Sequence, residues 1–175
     1  CGDTPGFLGN RIGVYAMQVA LTEAIKMKLS VEEADAVFGR PMGIPKTGVF
    51  ALYDLIGIDL MRDVLKSFIK ELPKNDVFQE VAQNIPIIDK LIDSGYTGRK
   101  GKGGFYRIKK EDGKKTLEAL NLETFNYTTA KKIDLNIDKV DLKKLITRED
   151  KYGKYAWSVI SKIILYSSSL VPQIT

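Results

Sequence analysis

With 175 residues, of which 44% are apolar and 28% charged, the chain is long enough to build one domain around a substantial core without disulfide staples. It has one cysteine and no histidine. That excludes an internal disulfide, a Cys-His or Ser-His nucleophile and a His-rich zinc site within the chain, and leaves proton transfer near neutral pH to a shifted carboxylate, a lysine or a histidine from elsewhere. The net charge of +5 is uneven, because residues 1–96 carry 10 Lys and Arg against 13 Asp and Glu while the remainder carries 17 against 9. Dispersed lysines of this kind read as a solvated face, and no RNA-stacking motif accompanies them. No apolar run is long enough to cross a bilayer. No signal-type segment precedes Cys1, so a soluble chain in a reducing, cytoplasmic setting is expected. A start at Cys1, without Met and inside a loop-to-helix motif, leads to the expectation that an N-terminal portion precedes it.

The stretch 3–29 organises the rest. A loop, Thr4-Pro5-Gly6-Phe7-Leu8-Gly9, opens onto Asn10-Arg11 and then a run in which, between 12 and 24, only Gly13, Gln18, Thr22 and Glu23 are not apolar. Such a run lacks the polar face of a surface helix and predicts a central helix over 12–28, packed on several sides. At helical spacing Asn10, Val14, Met17 and Leu21 form one stripe, an apolar track headed by an amide. An Asn at this point serves either as a cap or as a functional donor. Arg11 either snorkels or pairs with a carboxylate.

Ser30-Val31-Glu32-Glu33 has the spacing of a capping box and predicts a short helix to about Phe38, stopped by Gly39. Pro41 and Pro45 make a rigid loop around Gly43. A largely apolar helix then runs from about Thr47 to Gly57. Asp59 is expected to cap a fourth, amphipathic helix whose Met61, Val64 or Leu65, Phe68 and Leu72 recur at i, i+3/i+4, i+7 and i+11 before Pro73. Asp76-Val77-Phe78-Gln79 resembles another capping box, and Pro86 opens a helix with Ile87, Ile88, Leu91 and Ile92 that closes at Gly95.

The character changes at 95–104, where five glycines and three cations forbid regular structure. Phe105-Tyr106-Arg107-Ile108 reads as a strand, Glu111-Asp112-Gly113 as a hairpin turn, and 116–122 as the returning strand, with strand confined to 105–122. After a polar connector, 141–146 and a long apolar helix from Lys154 to about Leu170, ended by Pro172, complete the chain. The expected class is therefore all-α, a helical bundle with a small β-hairpin. The cationic glycine loop is not a nucleotide fingerprint, since a helix precedes it and a strand follows. It reads as a turn, or as backbone N–H groups and cations that meet a phosphate.

Three stretches occur in order: Asp3-Thr4-Pro5-Gly6-Phe7-Leu8-Gly9-Asn10-Arg11; Pro41-Met42-Gly43 with Gly57-Ile58-Asp59; and Gly98-Arg99-Lys100-Gly101-Lys102-Gly103-Gly104-Phe105-Tyr106. Together they resemble the C-terminal helical domain of the 3-hydroxyacyl-CoA dehydrogenases, over about residues 1–107. Residues 108–175 resemble the linker and start of the second helical half in longer, multifunctional bacterial members, some of which also carry an enoyl-CoA hydratase domain. One departure is Gly9, where the family more often has an apolar residue.

The resemblance implies a helical domain like that at the C-terminus of 6-phosphogluconate dehydrogenase, partnered with an NAD-binding Rossmann domain that would precede Cys1 and supply a His-Glu pair. It implies oxidation of 3-hydroxyacyl-CoA to 3-oxoacyl-CoA in fatty acid β-oxidation, with Asn10 orienting the substrate oxygen. Val14, Met17 and Leu21 would then contact the acyl tail, and a homodimer is expected. Without the Rossmann domain the chain should be inactive. Two other readings stand beside it: the helical domain of another β-hydroxyacid dehydrogenase, against which the Pro-Gly-Phe-x-x-Asn-Arg motif argues, and a basic helical nucleic-acid-binding module.

Overall fold

A computed structural model describes residues 2–137 and 140–171 of the chain. Its helices are α1 Phe7–Lys26, α2 Val31–Val37, α3 Val49–Ile56, α4 Ile58–Glu71, α5 Phe78–Val81, α6 Pro86–Asp93, α7 Leu142–Ile146 and α8 Lys151–Ser169, with a 3-10 turn at Arg40–Met42. The strands are β1 Tyr106–Glu111, β2 Lys114–Leu120 and β3 Tyr127–Thr129. The expected mainly helical class is what the chain adopts.

Helix α1 is the centre. Val19, Ala20, Leu21 and Ala24 are at or below 1% exposure, while α8, α2, α3 and α5 pack around them. Each large apolar side chain removed from water there contributes about 1.5–3 kcal/mol. The α1–α8 contact also carries polar ties that orient it. Tyr155 donates its hydroxyl to the Ala20 carbonyl at 2.9 Å, and the Tyr15 and Tyr166 rings stack with centroids 4.0 Å apart. Glu23, buried on α1, accepts from Ser158 at 2.7 Å and from Lys162 at 2.6 Å. Burial alone would raise the Glu23 pKa, but the donors outweigh it and hold the carboxyl below its ordinary value. Residues on both sides of position 108 thus share one apolar core.

The helix boundaries follow local chemistry, with five departures from the sequence reading, the first being that α1 runs from Phe7 to Lys26 where 12–28 was expected. The Ser30 capping box is present in full. Asp59, however, caps nothing: α3 and α4 are separated by Gly57 alone, at φ 112, and the Ile58 N–H goes to the Thr97 carbonyl at 3.0 Å. The helix thus begins one residue ahead of Asp59, which lies inside its first turn with Gly57 at the cap position. Asp76 accepts from the Phe78 N–H at 2.8 Å, but Gln79 bonds the carbonyls of Ile69 and Leu72 instead of closing a box, and α5 is a single turn. Helix α8 begins three residues early, because Asp150 accepts from the N–H groups of Tyr152 and Gly153. Pro172, expected to end it, lies outside the described residues.

The hairpin forms at the Asp112-Gly113 turn, where both residues have positive φ, and Glu111 faces Lys114. The fifth departure is β3, which adds a third antiparallel strand beyond the predicted limit at 122, pairing Glu118 with Thr129 and Leu120 with Tyr127. Asn121 builds the connecting turn by accepting from Glu123 and Thr124. A three-residue Tyr-Thr-Thr strand carries no alternation long enough to read.

Candidate functional site

The loop before α1 is shaped by contact with α4. Gly6 sits at φ 75, and a Cβ on it would lie 2.3 Å from the Phe68 ring, so only glycine lets the loop rest there. Phe7 follows at φ 58 and starts the helix, with Gly6 as its cap and no side chain serving the first N–H groups. Asn10 is therefore inside the helix and not its cap; its side chain is exposed. Arg11 is buried. Its Nε donates to the Tyr166 hydroxyl at 2.8 Å, one terminal nitrogen donates to Thr4 Oγ1 at 2.7 Å, and the other pairs with Asp76. Loop, α1, the segment before α5 and α8 thus meet on one guanidinium.

Asn10 and Val14 form one wall of a groove of about 530 Å³, whose other wall comes from the α3–α4 joint through Ile56, Leu60, Met61 and Val64. Ser67, Asp63 and Glu71 add polar groups at the α4 side. The structure brings Asn10 and Val14 together there. It does not bring Met17 and Leu21, which continue the stripe into the core at 7% and 0% exposure. Chemically, the groove offers an amide able to donate to a carbonyl or developing alkoxide beside apolar walls. It has neither His nor Cys.

A larger cleft of about 820 Å³ lies between α2, α3, the glycine loop and the sheet, and was not anticipated. Beneath it are two carboxyls, Asp54, which is 3% exposed, and Asp35, which is partly exposed. Asp35 accepts from the N–H groups of Phe50 at 2.7 Å and Ala51 at 3.0 Å, capping α3; Asp54 accepts from Phe105 and Tyr106, both at 2.8 Å, tying β1 to α3. Desolvation pushes Asp35 up to about 7 and Asp54 up to about 6, the backbone donors opposing it. The one legible signal was a lone Asp within the apolar run Val49-Phe50-Ala51-Leu52-Tyr53-Asp54-Leu55-Ile56.

The glycine loop packs on the same carboxyl. At Gly104 a Cβ would lie 2.0 Å from Asp54 Oδ1, and at Gly98, with φ 109, 2.4 Å from the Asp54 carbonyl. The sequence motif 98–106 is thus a seat for Asp54, which explains its spacing from α3.

No solved structure matches the chain. It is similar over its whole length, at 38% identity, to a Rickettsia felis protein named as a fatty acid oxidation complex trifunctional enzyme, 24% of which it covers. It is 29% identical over 98% of its length to a Bacillus subtilis protein named as a 3-hydroxyacyl-CoA dehydrogenase, covering 22% of it. Over 62% of its length it is 31% identical to the mitochondrial hydroxyacyl-coenzyme A dehydrogenase of Mus musculus, covering 33%. The chain spans about a quarter of the length of the first two. The family described as 3-hydroxyacyl-CoA dehydrogenase, C-terminal domain, matches residues 6–108, from the glycine that seats the loop on Phe68 to the strand that Asp54 holds, and the chain belongs to that family.

Proposed function

We propose that this chain is the substrate-binding and dimerisation domain of an NAD-dependent 3-hydroxyacyl-CoA dehydrogenase, acting in the oxidation of 3-hydroxyacyl-CoA to 3-oxoacyl-CoA in fatty acid β-oxidation. The observation that carries the reading is Asn10: an exposed amide on a rigid helix, facing an apolar groove and followed by an anchored arginine. In this reading Asn10 donates to the substrate oxygen, Val14 contacts the acyl chain, and Met17 and Leu21 back that wall from the core.

When bound, NAD supplies the hydride acceptor. This chain does not fit it: the glycine loop runs from α6 into β1, the reverse of the strand-loop-helix order that sets a pyrophosphate on a helix N-terminus, and the sheet is antiparallel. The cofactor and the proton acceptor are assigned to a Rossmann domain N-terminal to this chain in the same cytoplasmic protein. The family membership and the quarter coverage of the longer relatives support that assignment. No helix among the described residues is long and apolar enough to cross a membrane.

The dimer rests on the outer face of α8, where Trp157, Ile164 and Leu165 are 58%, 56% and 70% exposed. At about 25 cal/mol per Å², covering a few hundred Å² of such surface contributes several kcal/mol before the costs of association. An isologous pair covers the same patch on both chains.

The test is Asn10→Ala in the full-length protein, followed by NAD reduction with 3-hydroxybutyryl-CoA. A fall in kcat of about 100-fold is expected, with melting temperature unchanged because the side chain is exposed. Wild-type kcat in the variant would remove Asn10 from the reaction.

A further inference from the structure

Asn10 stands on a helical turn that has little of its own to hold it. Gly6 is the N-cap of α1 and no side chain serves the first N–H groups, Phe7 takes φ 58 and is 76% exposed, and a Cβ on Gly9 would meet nothing within 4 Å. Leu8 is half-buried and Asn10 is exposed, so the first buried side chain of the helix is that of Arg11. A helix end without capping groups frays unless side-chain packing holds it. The contact of Gly6 with Phe68 fixes the loop before this turn, and Arg11 fixes the helix after it. The direction in which the Asn10 amide points is therefore set by what holds its neighbour.

Three segments hold Arg11. Thr4 Oγ1 accepts at 2.7 Å from within the entry loop, Asp76 pairs with it from the segment before α5, and the Tyr166 hydroxyl on α8 accepts from Nε at 2.8 Å. Thr4 belongs to the loop that leads into α1, whereas Tyr166 lies 155 residues away on a helix packed along α1, and so holds the planar guanidinium against an independent element. The Tyr166 ring is itself immobilised, since it is 1% exposed, stacks on Tyr15 with centroids 4.0 Å apart and lies against Phe78 at 6.3 Å. Desolvation by burial raises its hydroxyl to about 12, with Arg11 opposing the rise and Asp76 adding to it, so the hydroxyl is a neutral acceptor near pH 7. Tyr155, on the same helix, makes a different tie by donating to the Ala20 carbonyl at 2.9 Å. Tyr155 holds the buried centre of α1, and Tyr166 holds the end that carries Asn10.

We propose that Tyr166 is a positioning residue for the Asn10 site: by seating Arg11 while stacked on Tyr15, it fixes the first turn of α1 and with it the amide at the groove. The proposal rests on the reading of Asn10 as the group that orients the substrate oxygen. It adds that α8, which lies outside the residues 6–108 matched by the family, completes that site. Tyr166 lines no part of the groove and acts through Arg11. A displacement of about 1 Å in an orienting group costs up to about 100-fold in rate, and loss of one of the three partners of Arg11 accounts for part of that.

The test is Tyr166→Phe in the full-length protein, which deletes the hydroxyl and keeps the ring stack, assayed by NAD reduction with 3-hydroxybutyryl-CoA. A fall in kcat of about tenfold is expected, with KM changed by less than about twofold. Tyr155→Phe, which deletes the other buried hydroxyl tie between α8 and α1, should keep wild-type kcat. In the Asn10→Ala background Tyr166→Phe should lower kcat no further, because its effect passes through Asn10. Should Tyr166→Phe fail to fold by circular dichroism, Thr4→Val removes another acceptor of Arg11 and is expected to give the same fall and the same non-additivity with Asn10→Ala. Wild-type kcat in the folded variant, an equal fall in Tyr155→Phe, or a full further fall in the Asn10→Ala background would each overturn the proposal while leaving the reading of Asn10 in place. Wild-type kcat in Asn10→Ala would remove that reading, and the proposal with it.

Discussion

Arg11 and Asp76 form an ion pair whose side chains are only 6% and 8% exposed, one residue after the exposed Asn10. Breaking such a pair from one side leaves a buried charge uncompensated, which costs about 3–5 kcal/mol. Asp76→Ala should therefore lower unfolding free energy by about 3 kcal/mol in a denaturant titration, since Thr4 and Tyr166 still hold the guanidinium in part. A loss below about 1 kcal/mol would show that the pair is not formed.

Stability should rise as pH falls from neutrality. Asp35, at about 7, and Asp54, at about 6, are raised above the unfolded value, so the folded state binds more protons than the unfolded one between roughly pH 4 and 7. Their contribution is greatest at the acid end of that window and is lost as pH rises through the folded pKa. Glu23 and Glu33 are held low and act in the opposite sense, losing their contribution only as pH falls below their ordinary value. The expected maximum lies near pH 5, with a gain on the order of 2 kcal/mol from Asp35 relative to pH 7.5. Asp35→Asn should flatten the acid-side gain in a pH series of thermal melts; an unchanged slope would contradict the assignment.

The outer face of α8 predicts self-association. Light scattering at micromolar concentration should give a dimer, and Ile164→Glu, at a 56% exposed position, should shift it to monomer without loss of helix content. A strict monomer, with Trp157 emission at the fully solvated wavelength, would defeat the proposed interface.

The 175-residue chain by itself should be catalytically silent, because it has no histidine and no dinucleotide cradle, and orientation by Asn10 cannot supply hydride transfer. NAD reduction with 3-hydroxybutyryl-CoA by the purified chain would refute this. Activity gained by joining it to a Rossmann domain of the family would support the proposed division of labour.

Patterns confined to one segment were legible in the sequence alone. The apolar run of α1, the Ser30 box, the Pro86 start and the Asp112-Gly113 turn each depend on neighbours within a few residues, so their residues declare them. The three motifs together also pointed to the family, because glycine positions register close backbone approach even before the approaching partner is known. Tertiary structure decided what depends on partners far along the chain. Asp59 lost its cap role because α4 begins one residue earlier, at Ile58, whose N–H goes to the distant Thr97 carbonyl, and Asp76 became the counter-ion of Arg11, 65 residues away. Strand β3 formed because β2 presented an edge to pair with, its own three residues being too few to signal it. The stripe through Asn10, Val14, Met17 and Leu21 was one feature by periodicity, but packing divided it: Asn10 is exposed and Val14, though only 9% exposed, still lines the groove beside α4, whereas Met17 and Leu21 line no part of it. Periodicity fixes which side chains share a face, and only the arrangement of the other helices determines how much of that face remains open.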